Sequence, residues 1–193
     1  MTRYHFLLTA FCTAGISFIA FQGFTRPTIT TDEAGTFQWK SPITPSERQA
    51  ELVRSMGGKE AWDIVSTAEK VQAYRIEPPN SDWEPDTNNY VVTAGPIDIP
   101  VDVQADLSRL LTTHESMYWP DGQIGCLPVY GVRLKFQSAR GEVDVNICFS
   151  CSYLEFAHNG KDTGGVLMGS VASKLAAVAK ALFPDDEKIQ KIH

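Results

Sequence analysis

Residues 130–153 read YGVRLKFQSARGEVDVNICFSCSY. Over 130–136, Tyr130, Val132, Leu134 and Phe136 alternate with Gly131, Arg133 and Lys135. Over 142–153, Val143, Val145, Ile147, Phe149, Cys151 and Tyr153 alternate with Asp144, Asn146, Cys148, Ser150 and Ser152. Successive side chains of a strand point to opposite faces, so each run predicts a strand with one apolar and one polar face. That is the pattern of a half-buried antiparallel sheet. Ala139, Arg140 and Gly141 supply the turn, so the two runs predict a hairpin, and Lys135 opposite Asp144 is one register it allows.

Working outward, Thr44-Pro45-Ser46-Glu47 is a helix start. Thr44 can cap free backbone N–H groups, Pro45 suits the first helical position, and Glu47 completes a capping box. Leu52, Val53 and Met56 form the apolar stripe, and Gly57-Gly58 ends it. A second short helix is predicted over 59–67, then strands over 71–77 and 90–94, with a polar loop over 78–89 between them. Gly95-Pro96 is read as the end of the second strand. A helix capped by Asp102 runs to about residue 114, with Val103, Leu107, Leu110 and Leu111 on its buried side. Asn159-Gly160 closes the second strand of the hairpin, and residues 162–165 are read as a loop. A helix begins near Ser170 and stops before Pro184, and the acidic run Asp185-Asp186-Glu187 suits a helix N-terminus. The order helix, helix, ββα, ββα predicts an α+β fold. It has one antiparallel sheet of about four strands, helices on its apolar face and a solvated opposite face.

Residues 6–24 form a 19-residue run without a charge. About 18 such residues can cross a bilayer as a helix, whereas the apolar part of a cleaved signal is shorter. The expectation is a signal-anchor or transmembrane helix over 1–25, a linker over 26–44 and one α+β domain over 45–193. Within the linker, Phe37 and Trp39 are read as packing back on the domain edge. Arg3 favours a cytoplasmic N-terminus, which would put the domain outside the cytoplasm. Secretion after signal cleavage is the alternative. Beyond residue 26, 15 basic and 23 acidic residues give a net charge of −8. That balance argues against nucleic acid as a partner, because phosphate binding needs a basic face.

Cys148-Phe149-Ser150-Cys151 raises the question of thiol chemistry. In one regular strand the two cysteines would face opposite sides, which suits neither a mutual disulfide nor two ligands of one metal. The apolar phase shifts to Leu154 and Phe156 after Tyr153, and a bulge displaced towards Ser150 would bring both cysteines to one side. Continuing the Lys135–Asp144 register places Cys126 as a diagonal neighbour of Cys151. Diagonal Cα atoms are about 7–8 Å apart. A disulfide prefers about 5.5–6 Å, so a bend at Pro128 could close the gap. Four readings stay open: a Cys126–Cys151 disulfide with Cys148 free, reduced inert thiols, a bond involving Cys148, or a zinc site. The zinc site would use Cys126, Cys148, Cys151 and a histidine, His114 or His158. It lacks the second ligand pair that makes zinc motifs convincing. Tyr118 and Trp119 are candidates for a ligand rim.

The run from Cys126 to the C-terminus resembles a pattern found in uncharacterised bacterial proteins that carry a signal or anchor. These have a lone cysteine before a strand, a Cys-Phe-x-Cys strand and a late helix ending in Leu-Phe-Pro-Asp. Here those are Cys126, Cys148-Phe149-Ser150-Cys151 and Leu182-Phe183-Pro184-Asp185. The resemblance groups the three cysteines as a set and implies no activity. There is no glycine-rich phosphate loop with a following lysine, no HExxH and no GxSxG. The leading expectation is a membrane-anchored, non-enzymatic module, without a cofactor, that binds an envelope protein or small ligand. The alternatives are a thiol-based redox or metal-binding protein using Cys126, Cys148 and Cys151, and a structural envelope component.

Overall fold

The computed structural model describes residues 44–79, 87–119 and 125–192. The expected anchor, nearly all of the linker, and Phe37 and Trp39 lie outside the described residues. Among the described residues the sheet has seven antiparallel strands: β1 (Lys70–Glu77), β2 (Val91–Asp98), β3 (Met117–Tyr118), β4 (Val132–Ser138), β5 (Gly141–Cys148), β6 (Tyr153–His158) and β7 (Lys161–Met168). Their order is β2-β1-β4-β5-β6-β7-β3. The α+β class holds, and the expected four strands become seven.

Two of the added strands come from the β5–β6 turn and the β6–β7 hairpin, and the third is the two-residue β3, which pairs with β7. The run over 142–153 is not one strand: β5 ends at Cys148, residues 149–152 turn, and β6 begins at Tyr153, with Cys148 paired to Tyr153. The phase shift read as a bulge is therefore a tight turn. Asn159-Gly160 does more than end a strand. Both residues have positive φ, 52° and 74°, as a two-residue hairpin turn requires, and β7 returns along β6. Residues 162–165, read as a loop, lie within β7. β2 also runs through Gly95-Pro96 instead of stopping there. It is an edge strand, where a proline's missing donor costs nothing in the ladder, and its register with β1 is bulged on either side of Arg75.

The β4–β5 hairpin forms, and its register puts Lys135 opposite Asp144. It sends Val132, Leu134, Phe136, Val143, Val145 and Ile147 to one face, all fully buried or nearly so. Helices α1 (Pro45–Ser55), α2 (Lys59–Ser66), α3 (Val101–Leu111), α4 (Val171–Leu182) and α5 (Glu187–Gln190) contribute to that same core. The Thr44–Glu47 capping box forms as the sequence predicts. Asp186 caps α5 by accepting from Lys188 N and Ile189 N, 2.9 Å each. Its other oxygen accepts from Arg75 Nε at 2.7 Å. Arg75 is 5% exposed, and its guanidinium also bonds Glu77 and the Gly131 carbonyl, so the buried charge is fully engaged and ties α5 to the sheet.

The topology gathers the long connections at one end of the sheet. The segment between β1 and β2, the segment between β3 and β4, and the 149–152 turn all leave from there. At Gly95 the backbone φ is +102°, and an added Cβ would lie 2.6 Å from the Ala73 carbonyl oxygen. Gly95→Ala is expected to lower unfolding free energy by about 1–3 kcal/mol in urea titration. A loss within about 0.5 kcal/mol would show that the β1–β2 pairing does not depend on this contact.

Candidate functional site

Two features meet at that end: a polar layer on the sheet face opposite the helices, and the cysteine cluster beside it. Arg133, Asn146 and Glu155 occupy adjacent positions on β4, β5 and β6, because Arg133 pairs with Asn146 and Asn146 with Glu155. The short turn Thr87–Asn89 closes over them. Arg133 donates to Asn146 Oδ1 at 2.9 Å and to the Thr87 carbonyl at 2.7 Å. Glu155 accepts from the Thr87 hydroxyl at 2.9 Å, the Tyr130 hydroxyl at 2.7 Å and Asn146 Nδ2 at 3.4 Å. Asn146 is fully buried and Thr87 is 1% exposed. The face expected to be solvated is therefore covered here. The alternation identifies these residues as polar but not what covers them, because Thr87 lies 68 positions before Glu155.

Burial pushes the Glu155 carboxyl above its ordinary value, against the hydrogen bonds from Tyr130 and Thr87 that favour its charged form. Burial likewise raises the Tyr130 phenol, and its bond to Glu155 adds to the rise. Asp144, one position further along β5 on the same face, is 8% exposed. Its Oδ1 lies 3.5 Å from Lys135 Nζ, an ion-pair distance but long for a hydrogen bond. Burial raises its carboxyl too, and the Lys135 and Arg133 charges only partly oppose that.

Cys126 and Cys151 form a disulfide with Cα atoms 5.9 Å apart, while Cys148 is a buried free thiol. The first of the four readings is thus the arrangement found, by a different route. Cys151 sits in the turn, not on the apolar face of a strand, and packs on the same side of the sheet as Cys148. The expectation of opposite faces fails because the strand breaks between them. Cys148 contributes to an apolar cluster with Ile76, Tyr90 and Tyr130, against which Tyr153 and Cys151 pack. The strap over 125–129 crosses here. Val129 N–H donates to Cys148 Sγ at 3.3 Å, and Cys151 Sγ lies 3.4 Å from the Leu127 carbonyl oxygen. The bond occupies two of the three thiols that a zinc site would need. Among the described residues, no group of three or more His, Cys, Asp or Glu side chains is arranged to hold a metal ion. His114 Nδ1 faces Gln49 Oε1 at 3.3 Å, and His158 Nε2 faces Asn159 at 3.1 Å.

Tyr118 and Trp119 do not form a shared rim. Trp119 packs against the helix-side core, and its Nε1 donates to the His114 carbonyl at 3.1 Å. Tyr118 is 57% exposed. Strand pairing carries one row from Tyr118 through Leu167 and Tyr153 to Cys148, all on the face opposite the helices. The strap adds Leu127 and Val129, 67% and 47% exposed. No protein-family model matches the chain, and neither a curated protein nor a solved structure matches it.

The disulfide closes a loop across a separation of 25 residues. Cys126→Ser with Cys151→Ser is expected to cost about 3 kcal/mol in denaturant unfolding, from the chain entropy returned to the unfolded state. A double variant as stable as the parent would rule out that contribution. The polar layer makes a pH prediction. An acid whose folded pKa is raised holds its proton more tightly when folded, so its contribution to stability falls as pH rises through the raised value. Asp144→Asn is expected to make stability fall less steeply as pH rises above the ordinary aspartate value of about 4. An unchanged slope would show that the Asp144 charge carries no folding penalty.

Proposed function

We propose that the chain is a binding domain that works outside the cytoplasm and presents the strap end of its sheet to a protein partner. The observation that carries this reading is the exposure of Leu127 and Val129 on a segment pinned by the Cys126–Cys151 bond, with Tyr118 exposed at the same end of the sheet, three strands from Cys148. Loops are ordinarily mobile, and ordering them costs binding free energy. A strap held covalently has lost much of that freedom before a partner arrives. Exposed apolar side chains on such a scaffold supply contact area at little entropic cost. The neighbouring polar groups point the same way. Glu155 is engaged by three donors within the domain, and Arg133 spans Asn146 and Thr87. Those bonds build the support beneath the strap.

Two features favour the compartment. Disulfides persist where the surroundings are oxidising. The uncharged run over 6–24 suits an anchor or an export signal. It lies outside the described residues, among which no helix is long and apolar enough to cross a membrane. The net charge of −8 beyond residue 26 favours a partner whose apolar contact segment is flanked by basic residues.

Site-specific photocrosslinking in intact cells tests the proposal. A photoreactive side chain at Leu127 is expected to give one discrete adduct, and the same probe at exposed Lys174 on α4 none. Adding Tyr118→Asp is expected to weaken the Leu127 adduct several-fold without loss of folded protein. Identical patterns from both positions, or no adduct at Leu127, would refute a binding surface at this end.

A further inference from the structure

Cys148 is a buried thiol beside a disulfide. The strap covers it, because the N–H of Val129 is directed at its sulfur. The same strap passes Cys151, whose Sγ contacts the Leu127 carbonyl oxygen, and leads to Cys126. Cys148, the last residue of β5, and Cys151, within the turn that follows, are separated by Phe149 and Ser150, and Ser150 Oγ sits 3.3 Å from Cys148 Sγ. Both cysteines belong to one packed cluster. A Cys-x-x-Cys turn is a spacing at which two thiols can bond to each other. Cys151 thus has two candidate partners on one side of the sheet, one on the strap and one in its own turn.

We propose that the disulfide moves between them by thiol–disulfide exchange. The thiolate of Cys148 attacks Cys151 Sγ, forming the Cys148–Cys151 bond as the Cys126–Cys151 bond breaks. The electron pair leaves on Cys126 Sγ, and the proton given up by Cys148 ends there. One thiol and one disulfide stand on each side of the step, so no oxidant or reductant is consumed. The result differs in what is tied down. In the first isomer the strap is stapled to the sheet and covers Cys148. In the second the staple lies wholly within the turn, and the segment bearing Leu127 and Val129 is free at Cys126. The exchange is a redox-neutral switch that sets or releases the strap. Its consequence for a partner rests on the binding surface proposed above, whereas the exchange itself does not.

The test reads the bonds alone. The full chain carrying Cys12→Ser, so that Cys126, Cys148 and Cys151 are its three cysteines, is held without added thiol at about pH 8.5, near the ordinary cysteine pKa, in urea concentrations below its unfolding transition. It is then acid-quenched, denatured, alkylated and mapped by mass spectrometry. The expected result is a main pool labelled at Cys148 and a second pool labelled at Cys126 that carries a Cys148–Cys151 linkage. Cys148→Ser is expected to abolish labelling of Cys126 while keeping the Cys126–Cys151 bond. Labelling of Cys148 alone at every urea concentration, or labelling of Cys126 that persists in Cys148→Ser, would overturn the proposal. Because partner binding plays no part in this readout, failure here leaves the photocrosslinking test intact, and the converse holds.

Discussion

The register between β4 and β5 decides which side chains of the sheet face the helices. A strand's side chains alternate with a period of two, so a slip of one residue would exchange the faces of the whole hairpin. With Lys135 opposite Asp144, the six apolar residues of the two strands from Val132 to Ile147 face the helices. A slip would put Arg133, Lys135, Asp144 and Asn146 into that core instead. Fully burying a large apolar side chain is worth about 1.5–3 kcal/mol. Burying an unpaired charge costs several kcal/mol, so the alternative register is excluded many times over. β1 adds to β4 and β6 to β5 on the same alternation, which carries the division of faces across the sheet.

That division leaves a second face that the helices do not cover. The protein uses it in two ways. At its centre Arg133, Asn146 and Glu155 form a layer closed by Thr87, in which each polar side chain finds partners. Buried polar layers of this kind stabilise only when their donors and acceptors are matched, and then they fix one arrangement strongly. Here the layer holds the turn before β2 against the sheet. Tyr90 follows that turn and meets Tyr130 edge to face, with ring centroids 5.9 Å apart. Towards the end of the sheet the covering passes to the strap and its disulfide. The two coverings meet at Tyr130, which bonds Glu155 on one side and packs with Cys148 on the other.

The candidate site depends on this arrangement. A strap of five residues has little apolar area to bury, and Leu127 and Val129 point outward. Its attachment is therefore covalent where a larger segment would rely on packing. The disulfide, the buried thiol and the tyrosine cluster form one local assembly, so a change in the bonding of one sulfur is felt by its neighbours. Arg75 does comparable work at the same end of β1, tying α5 to the sheet through Asp186.

Some of this is legible from residues close together in the chain. The β4–β5 hairpin, the Thr44–Glu47 capping box, the stripe of α3 and the stop before Pro184 each follow from spacing within a few residues. β7 was missed because Gly164-Gly165 interrupts its pattern, although Asn159-Gly160 ahead of it is a strong hairpin signal. The 149–152 turn was missed because its residues continue the alternation of β5 without a break. What the sequence determined by itself is the local periodicity and the ends of elements, since those depend on neighbours three or four residues away. Long-range packing selects Thr87 to close over Glu155, Cys126 rather than Cys148 to bond Cys151, and β1 as the strand to which α5 is tied. Those outcomes require distant segments to arrive at one place, and no local period records which of several chemically suitable partners arrives.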